Sequence, residues 1–310
     1  MTTSSNMKIR IRIPYLFRFI ILLLSCQLIS FQSSGQEVKL TVLAHLPPVL
    51  EESSGLAITE NGNIWTLVDS KLPVIYNINT EGKVLRFLYL NHKNQDWEDM
   101  AKDEDGNFYI GNFGNNANKR QNLRIIKIPP PDSIRNDTIV NGGVIHFSYP
   151  DQKTFPPKAG NANFDMEAMI CMNNSIYLFS KNRTKPFTGY SKVYKLPNTP
   201  GKYVAQLIDS VYLGPGEMLQ TWVTSADLSP DKKILALLTH DKVWLFYCFK
   251  GDKFFSGKKK TIELLNFSQK EGISFINNKE LYITDELTKK ILGGNLYHLK
   301  LDRNYAEVCK

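Results

Sequence analysis

One short pattern recurs five times along this chain: an apolar strand, a tight turn, and a second strand rich in aromatic and β-branched residues. Such a repeat constrains the fold more than any other feature, because each copy leaves an apolar face that only its neighbours can cover. The first copy reads Ser54-Gly55-Leu56-Ala57-Ile58, turns at Asn61-Gly62 and continues Ile64-Trp65-Thr66-Leu67-Val68. The other four turn at Asp105-Gly106, Asn173-Asn174, Pro230-Asp231 and Asn277-Asn278. Asn and Gly tolerate positive φ, so these dipeptides between apolar runs are strong hairpin signals.

A third strand follows in every copy, at residues 74–78, 123–128, 192–196, 243–249 and 295–301, and a fourth in four of them, at 84–90, 143–149, 203–212 and 260–267. The fifth copy has no fourth strand, while an unassigned strand at 38–46 precedes the first. Donating that strand to the last unit closes a ring and removes a pair of exposed sheet edges. The pattern predicts an all-β chain folded as a single β-propeller of four-stranded blades, its ring closed by the N-terminal strand. Five blades match the copies. Six is the alternative, because 129–165 and 197–222 are long enough to hide another. A β-sandwich does not predict the same hairpin five times.

Composition is that of an ordinary globular chain, at 42% hydrophobic and 22% charged residues, which excludes collagen-like and disordered readings. Residues 1–35 read as a signal peptide. Lys8, Arg10 and Arg12 precede the apolar run opening Phe19-Ile20-Ile21-Leu22-Leu23-Leu24, and Ser33-Ser34-Gly35 supplies small residues for cleavage before Gln36. The rival is a lipobox ending at Cys26, which Leu24 fits poorly. Residues 36–310 then form the propeller domain, expected to be secreted or periplasmic. Four of the 38 Lys and Arg lie in the acid-free leader, and the remaining 34 against 30 acidic residues leave +4 without a basic block. No nucleic-acid partner is expected, nor a transmembrane span, and the chain reads as a monomer. Cys171 and Cys248 lie in apolar strands and read as core residues.

A meander of antiparallel strands brings the start of each inner strand and the end of each second strand to one face. Aligning the repeats puts Glu98-Asp99, Glu167, Asp227 and Glu271 at the tunnel mouth, with Glu51 and Glu52 just upstream of the first blade. Asp69, Asn112, Lys181, His240 and Asp285-Glu286 end the second strands on the same face. Oxygen-rich rings suit Ca²⁺, which gives Glu52, Asp69, Glu98, Glu167, Asp227 and Glu271 as metal ligands. Without a metal, crowding raises carboxyl pKa values and yields an acid–base pair, with Glu98, Asp99, Glu167 and Glu271 as catalytic candidates. Lys181, Arg183, Arg120, Asn112 and Asn115 are the candidates for binding an anionic substrate. Each carboxylate could instead tie neighbouring blades together through backbone N–H groups. Serine-hydrolase, zinc-protease and Walker sequences are missing, and no organic cofactor is expected.

At these residues the chain resembles the exported bacterial phytase-like ("esterase-like activity of phytase") propellers and is similar to the SdiA-regulated proteins. The resemblance runs through Glu52-Ser53-Ser54-Gly55-Leu56, Asp96-Trp97-Glu98-Asp99-Met100-Ala101, Phe164-Asp165-Met166-Glu167-Ala168, Ser180-Lys181-Asn182-Arg183 and Glu271-Gly272-Ile273. The stretch Gly111-Asn112-Phe113-Gly114-Asn115-Asn116 departs from the family pattern, with Asn112 and Asn115 where it has acids. The resemblance implies hydrolysis of phosphate or carboxylic esters at a polar mouth. The alternative is a non-catalytic propeller that binds a glycan, polyanion or protein on the same face.

Overall fold

The computed structural model describes residues 36–69, 72–135 and 140–309. The leader at 1–35, with its cleavage site and Cys26, lies outside the described residues. The strands are β1 (Gln36–Val38), β2 (Thr41–His45), β3 (Ser53–Ile58), β4 (Ile64–Val68), β5 (Val74–Ile78) and β6 (Val84–Tyr89). They continue with β7 (Trp97–Lys102), β8 (Phe108–Asn112), β9 (Arg124–Ile128), β10 (Gly143–Ser148), β11 (Asp165–Met172) and β12 (Ser175–Lys181). Then come β13 (Tyr190–Pro197), β14 (Gly201–Val204), β15 (Gln206–Tyr212), β16 (Ser225–Leu228) and β17 (Ile234–Leu238). The last are β18 (Lys242–Tyr247), β19 (Lys258–Leu264), β20 (Lys270–Asn277), β21 (Glu280–Asp285) and β22 (Asn295–Lys300).

Five sheets form. From the tunnel outward, blade I is β3-β4-β5-β6, blade II is β7-β8-β9-β10-β14, and blade III is β11-β12-β13-β15. Blade IV is β16-β17-β18-β19-β1, and blade V is β20-β21-β22-β2. Inner strands neighbour one another in ring order, with β3 against β7, β7 against β11, β11 against β16, β16 against β20, and β20 against β3. Each contact between adjacent blades has its own buried apolar cluster. Leu67, Trp97 and Phe108 sit between blades I and II, for example, and Ile234, Ile273 and Leu299 between IV and V. This is a five-bladed β-propeller.

Ring closure follows the expected route, with β2 pairing antiparallel to β22 through Thr41↔His298 and His45↔Asn295. The chain just before it also pairs, as β1 lies parallel along β19 of blade IV. The N-terminal segment therefore fastens two blades.

Two expectations are corrected. The stretch 203–212 is not one strand: it breaks at the buried Ala205, β14 adds in parallel to the outer edge of blade II, and only β15 completes blade III. Parallel addition satisfies the outer edge of β10 that would otherwise stay bare. Cys248 is also not a simple core thiol. It adopts φ +59° and forms a disulfide with Cys309, which ties the C-terminal turn to blade IV, while Cys171 stays reduced and buried. Among the described residues no helix is long and apolar enough to cross a membrane.

Candidate functional site

The mouth is built by a recurring defect in the inner strands. Opposite the second strand, register slips by one residue at Gly55 in blade I, at Glu167 in blade III and at Glu271 in blade V. In blade II the slip takes in Glu98 and Asp99. A bulge re-aims the extra side chain out of the ladder, so three blades present a carboxylate at equivalent points. Blade I presents Gly55 instead. Its φ is +57°, and a Cβ there would stand 2.9 Å from Asp99 Cα and 2.8 Å from Met100 N. Glycine lets blades I and II close up at that point.

Blade IV has no bulge: β16 pairs with β17 in continuous register from Ser225↔Leu238 to Leu228↔Leu235. Without it Asp227 is not turned to the mouth. Its Oδ2 accepts from Phe275 N (2.8 Å) and Ser274 Oγ (3.0 Å), and it lines the cavity at the other end of the tunnel. Asp99 is likewise spent within the ring. Completely buried, it accepts from Met169 N at 2.8 Å and Ser225 Oγ at 3.0 Å, joining blades II, III and IV.

The other candidates converge. Lys181 Nζ lies 2.8 Å from Glu167 Oε2 and 3.8 Å from Glu271 Oε1. Arg183 Nε donates to Asp165 Oδ2 at 2.6 Å, and its Nη2 stands 3.5 Å from Glu167 Oε1. Arg120 Nη1 is 3.8 Å from Asp96 Oδ2. Asn112 and Asn115 are buried and shape the loop: Asn112 Oδ1 accepts from Arg120 Nη2 at 2.9 Å and Asn115 Oδ1 from Arg120 N at 2.9 Å. Glu52 lies near enough for its charge to act on both Asp69 and Glu286. Gly114 is the cradle of the acid group, since a Cβ there would overlap Glu98 Oε1 and the Asp96 carboxyl.

These neighbours set the protonation states. Burial, then the Asp96 charge and a hydrogen bond with that carboxyl, push Asp69 up to about 7. Burial also raises Asp96, but Arg120 and the hydrogen bond from Asp69 pull it back. The two carboxyls therefore titrate as a pair holding one proton, with their hydrogen bond raising Asp69 and lowering Asp96. Burial and the Glu167 charge hold Glu98 well above the ordinary range. Burial raises Glu167 more than Lys181 lowers it, and burial with the Glu271 charge lifts Glu286 to about 8. Glu271 goes the other way, because Lys181 and His240 together outweigh its burial.

Asp96, Asp165 and Trp222 belong to this network and fall outside the residues that the repeat alignment brought to the mouth; Glu286, which it placed on that face, belongs too. Asp-x-Glu occurs at both Asp96-Trp97-Glu98 and Asp165-Met166-Glu167, just where blades II and III begin. That repeated motif is the signal that could have found Asp96 and Asp165. Trp222 has no such signal: it comes from the loop before β16, and its Nε1 donates to Asn182 O at 2.5 Å.

As a calcium site the mouth fits poorly. An ammonium stands between Glu167 and Glu271, guanidinium groups hold Asp165 and Asp96, and Asp227 faces elsewhere. Among the described residues no three His, Cys, Asp or Glu side chains are placed to hold a metal. A cavity of about 620 Å³ lies at the opposite end of the tunnel. Two acids lining it are satisfied by neighbours: Asp132 accepts from Thr59, Asn61 and Trp65, and Asp103 from Asn107 and Tyr109. At the mouth, by contrast, Asp69 and Glu286 are pushed up to about 7 and about 8.

Fold and site together define a five-bladed propeller with a narrow, charge-alternating mouth. No family model matches the sequence, and no curated protein matches it. In fold the chain is similar to the PQQ-bound aldose sugar dehydrogenase of Streptomyces coelicolor, with a TM-score of 0.50 at 8% identity over 84% of this chain and 98% of that one. Solved structures also include the major Malassezia sympodialis allergen Mala s 1, at TM-score 0.48 and 11% identity over 82% of this chain and 79% of that one. A catalytically inactive virginiamycin B lyase from Staphylococcus aureus with quinupristin stands at TM-score 0.41 and 13% identity, over 83% and 68%.

Proposed function

We propose that this is an exported propeller of the phytase-like kind that hydrolyses phosphate or carboxylic esters at the tunnel mouth. One arrangement carries the reading: the Asp69 and Asp96 carboxyls are hydrogen-bonded to each other beside Arg120, which favours one proton between them. Two carboxyls with one proton between them are an acid and a base in one place. In the proposed step Asp96 takes a proton from water as the water oxygen attacks the ester phosphorus or carbonyl carbon. Asp69 gives its proton to the departing alkoxide oxygen as that bond breaks. Arg183 and Arg120, each partly open to solvent, hold the anionic group. Lys181 with Glu167 and Glu271 keeps the ring of acids from repelling itself apart.

Calcium has no step in this proposal, because cations of the chain already stand among the carboxylates that would ligate it. Turnover of 4-nitrophenyl acetate and 4-nitrophenyl phosphate by chelator-treated protein tests the reading, with Asp96→Asn as the inactive but folded control. No turnover of either ester, or equal turnover by Asp96→Asn, would contradict it.

A second reading has its own support. Lys181, Arg183 and Arg120 all pair with carboxylates, as suits a non-catalytic face that binds a glycan, polyanion or protein. Ligand binding that survives in Asp69→Asn and Asp96→Asn without turnover would favour it.

A further inference from the structure

An unbroken row of rings runs from solvent down to the ion network. Phe267, in the loop between β19 and β20, is 47% exposed, and its ring centroid is 5.8 Å from that of His240, edge to face. The His240 ring lies 6.5 Å from Trp222, again edge to face. Above Trp222 stand the Arg183 guanidinium at 4.5 Å and Lys181 Nζ at 5.2 Å. None of the three rings belongs to the apolar clusters that hold the blades together. His240 is buried, and its Nε2 faces Glu271 Oε1 at 3.8 Å. Rings that pack no core lead straight to the two cations of the mouth.

We propose that Phe267, His240 and Trp222 form a subsite for a flat aromatic ring attached to the anionic group of the ligand. The ligand class is then an aryl ester or aryl phosphate rather than a polyol phosphate. This inference rests on the reading of the mouth as an anion site. The ring lies against Phe267 and Trp222 while its charged substituent meets Arg183, and stacking of this kind adds about tenfold to affinity.

Methylphosphonate and phenylphosphonate carry the same charge and differ only in the ring, and neither is an ester. Trp222 reports their binding, because Trp65, Trp97 and Trp244 are buried and Trp222 is partly exposed. Phenylphosphonate is expected to quench its fluorescence at about tenfold lower concentration than methylphosphonate. Phe267→Ala, a change at an exposed side chain, should erase that preference and leave methylphosphonate affinity unchanged. Equal affinities in the wild type, or a preference that survives Phe267→Ala, overturn the subsite while methylphosphonate binding leaves the anion site standing. If neither phosphonate binds but benzyl alcohol quenches Trp222 in a Phe267-dependent way, the subsite holds and the anion site falls. If none of the three binds, the subsite falls as well.

Discussion

The Lys181 ammonium of blade III reaches across the tunnel to within 3.8 Å of Glu271 Oε1 on blade V. It also donates to Glu167 Oε2 at 2.8 Å. One side chain thus joins two of the three carboxylates that the bulges turn inward. Burial alone would lower its pKa, but the surrounding acids raise it, so the lysine stays charged.

Replacing that ammonium should therefore cost much more than a surface ion pair. Lys181→Met strands two buried carboxylates and is expected to lower unfolding free energy by about 3–5 kcal/mol. Urea unfolding measures it. The double variant Lys181→Met/Glu167→Gln should recover part of the loss, because one stranded charge is gone.

Gly114 is expected to be irreplaceable for function rather than for folding. A Cβ there would intrude on Glu98 and Asp96, so Gly114→Ala should cut turnover or anion affinity by about tenfold or more. Gly160→Ala is the control: its Cβ would meet only Lys185 O, at 4.0 Å. Equal effects from the two substitutions would separate Gly114 from the site.

Stability should fall as pH rises through the neutral range. Asp69 titrates at 3.8 when unperturbed and near 7 in the fold. Between those values the folded state holds a proton that the unfolded state has lost, so each step up in pH favours unfolding. The contribution is complete below pH 3.8 and gone above about 7. Glu286, moved from 4.5 to about 8, acts in the same direction over a slightly higher window. Melting points from pH 5 to 7.5 should drop on the order of a few degrees in the wild type, and less in Asp69→Asn.

The propeller and its closure were legible in the sequence because a period-two apolar pattern with Asn-Gly and Asp-Gly turns reports local geometry. The N-terminal strand could be placed by counting, since one blade was a strand short. The parallel β14 and β1 were not legible: nothing in Gly201–Val204 or Gln36–Val38 distinguishes an edge strand of one blade from that of its neighbour. The site was half legible. Repeat alignment brought Glu98, Glu167, Lys181 and Glu271 to one face, but whether a carboxylate points into the tunnel depends on a one-residue bulge. Asp227 occupies the aligned position in a blade that lacks the bulge, and Asp99 shares a bulge with Glu98 yet turns into the ring. Alternation along a strand cannot report such an offset.

The disulfide should matter to stability and not to the mouth. Cys248 and Cys309 are 61 residues apart and fasten the C-terminal turn to blade IV. Cys309→Ser is expected to lower stability by about 2–4 kcal/mol while leaving ligand binding unchanged. Calorimetry with and without reductant checks the wild type against the variant.

The central claim is that a proton shared by Asp69 and Asp96 does chemistry. Its most direct test is the pH dependence of kcat/KM for 4-nitrophenyl esters. A general acid near 7 predicts a rate that falls as pH rises through about 7, and that limb should vanish in Asp69→Asn along with most of the activity. A rate that climbs steadily with pH, or a limb unchanged in Asp69→Asn, would contradict the account.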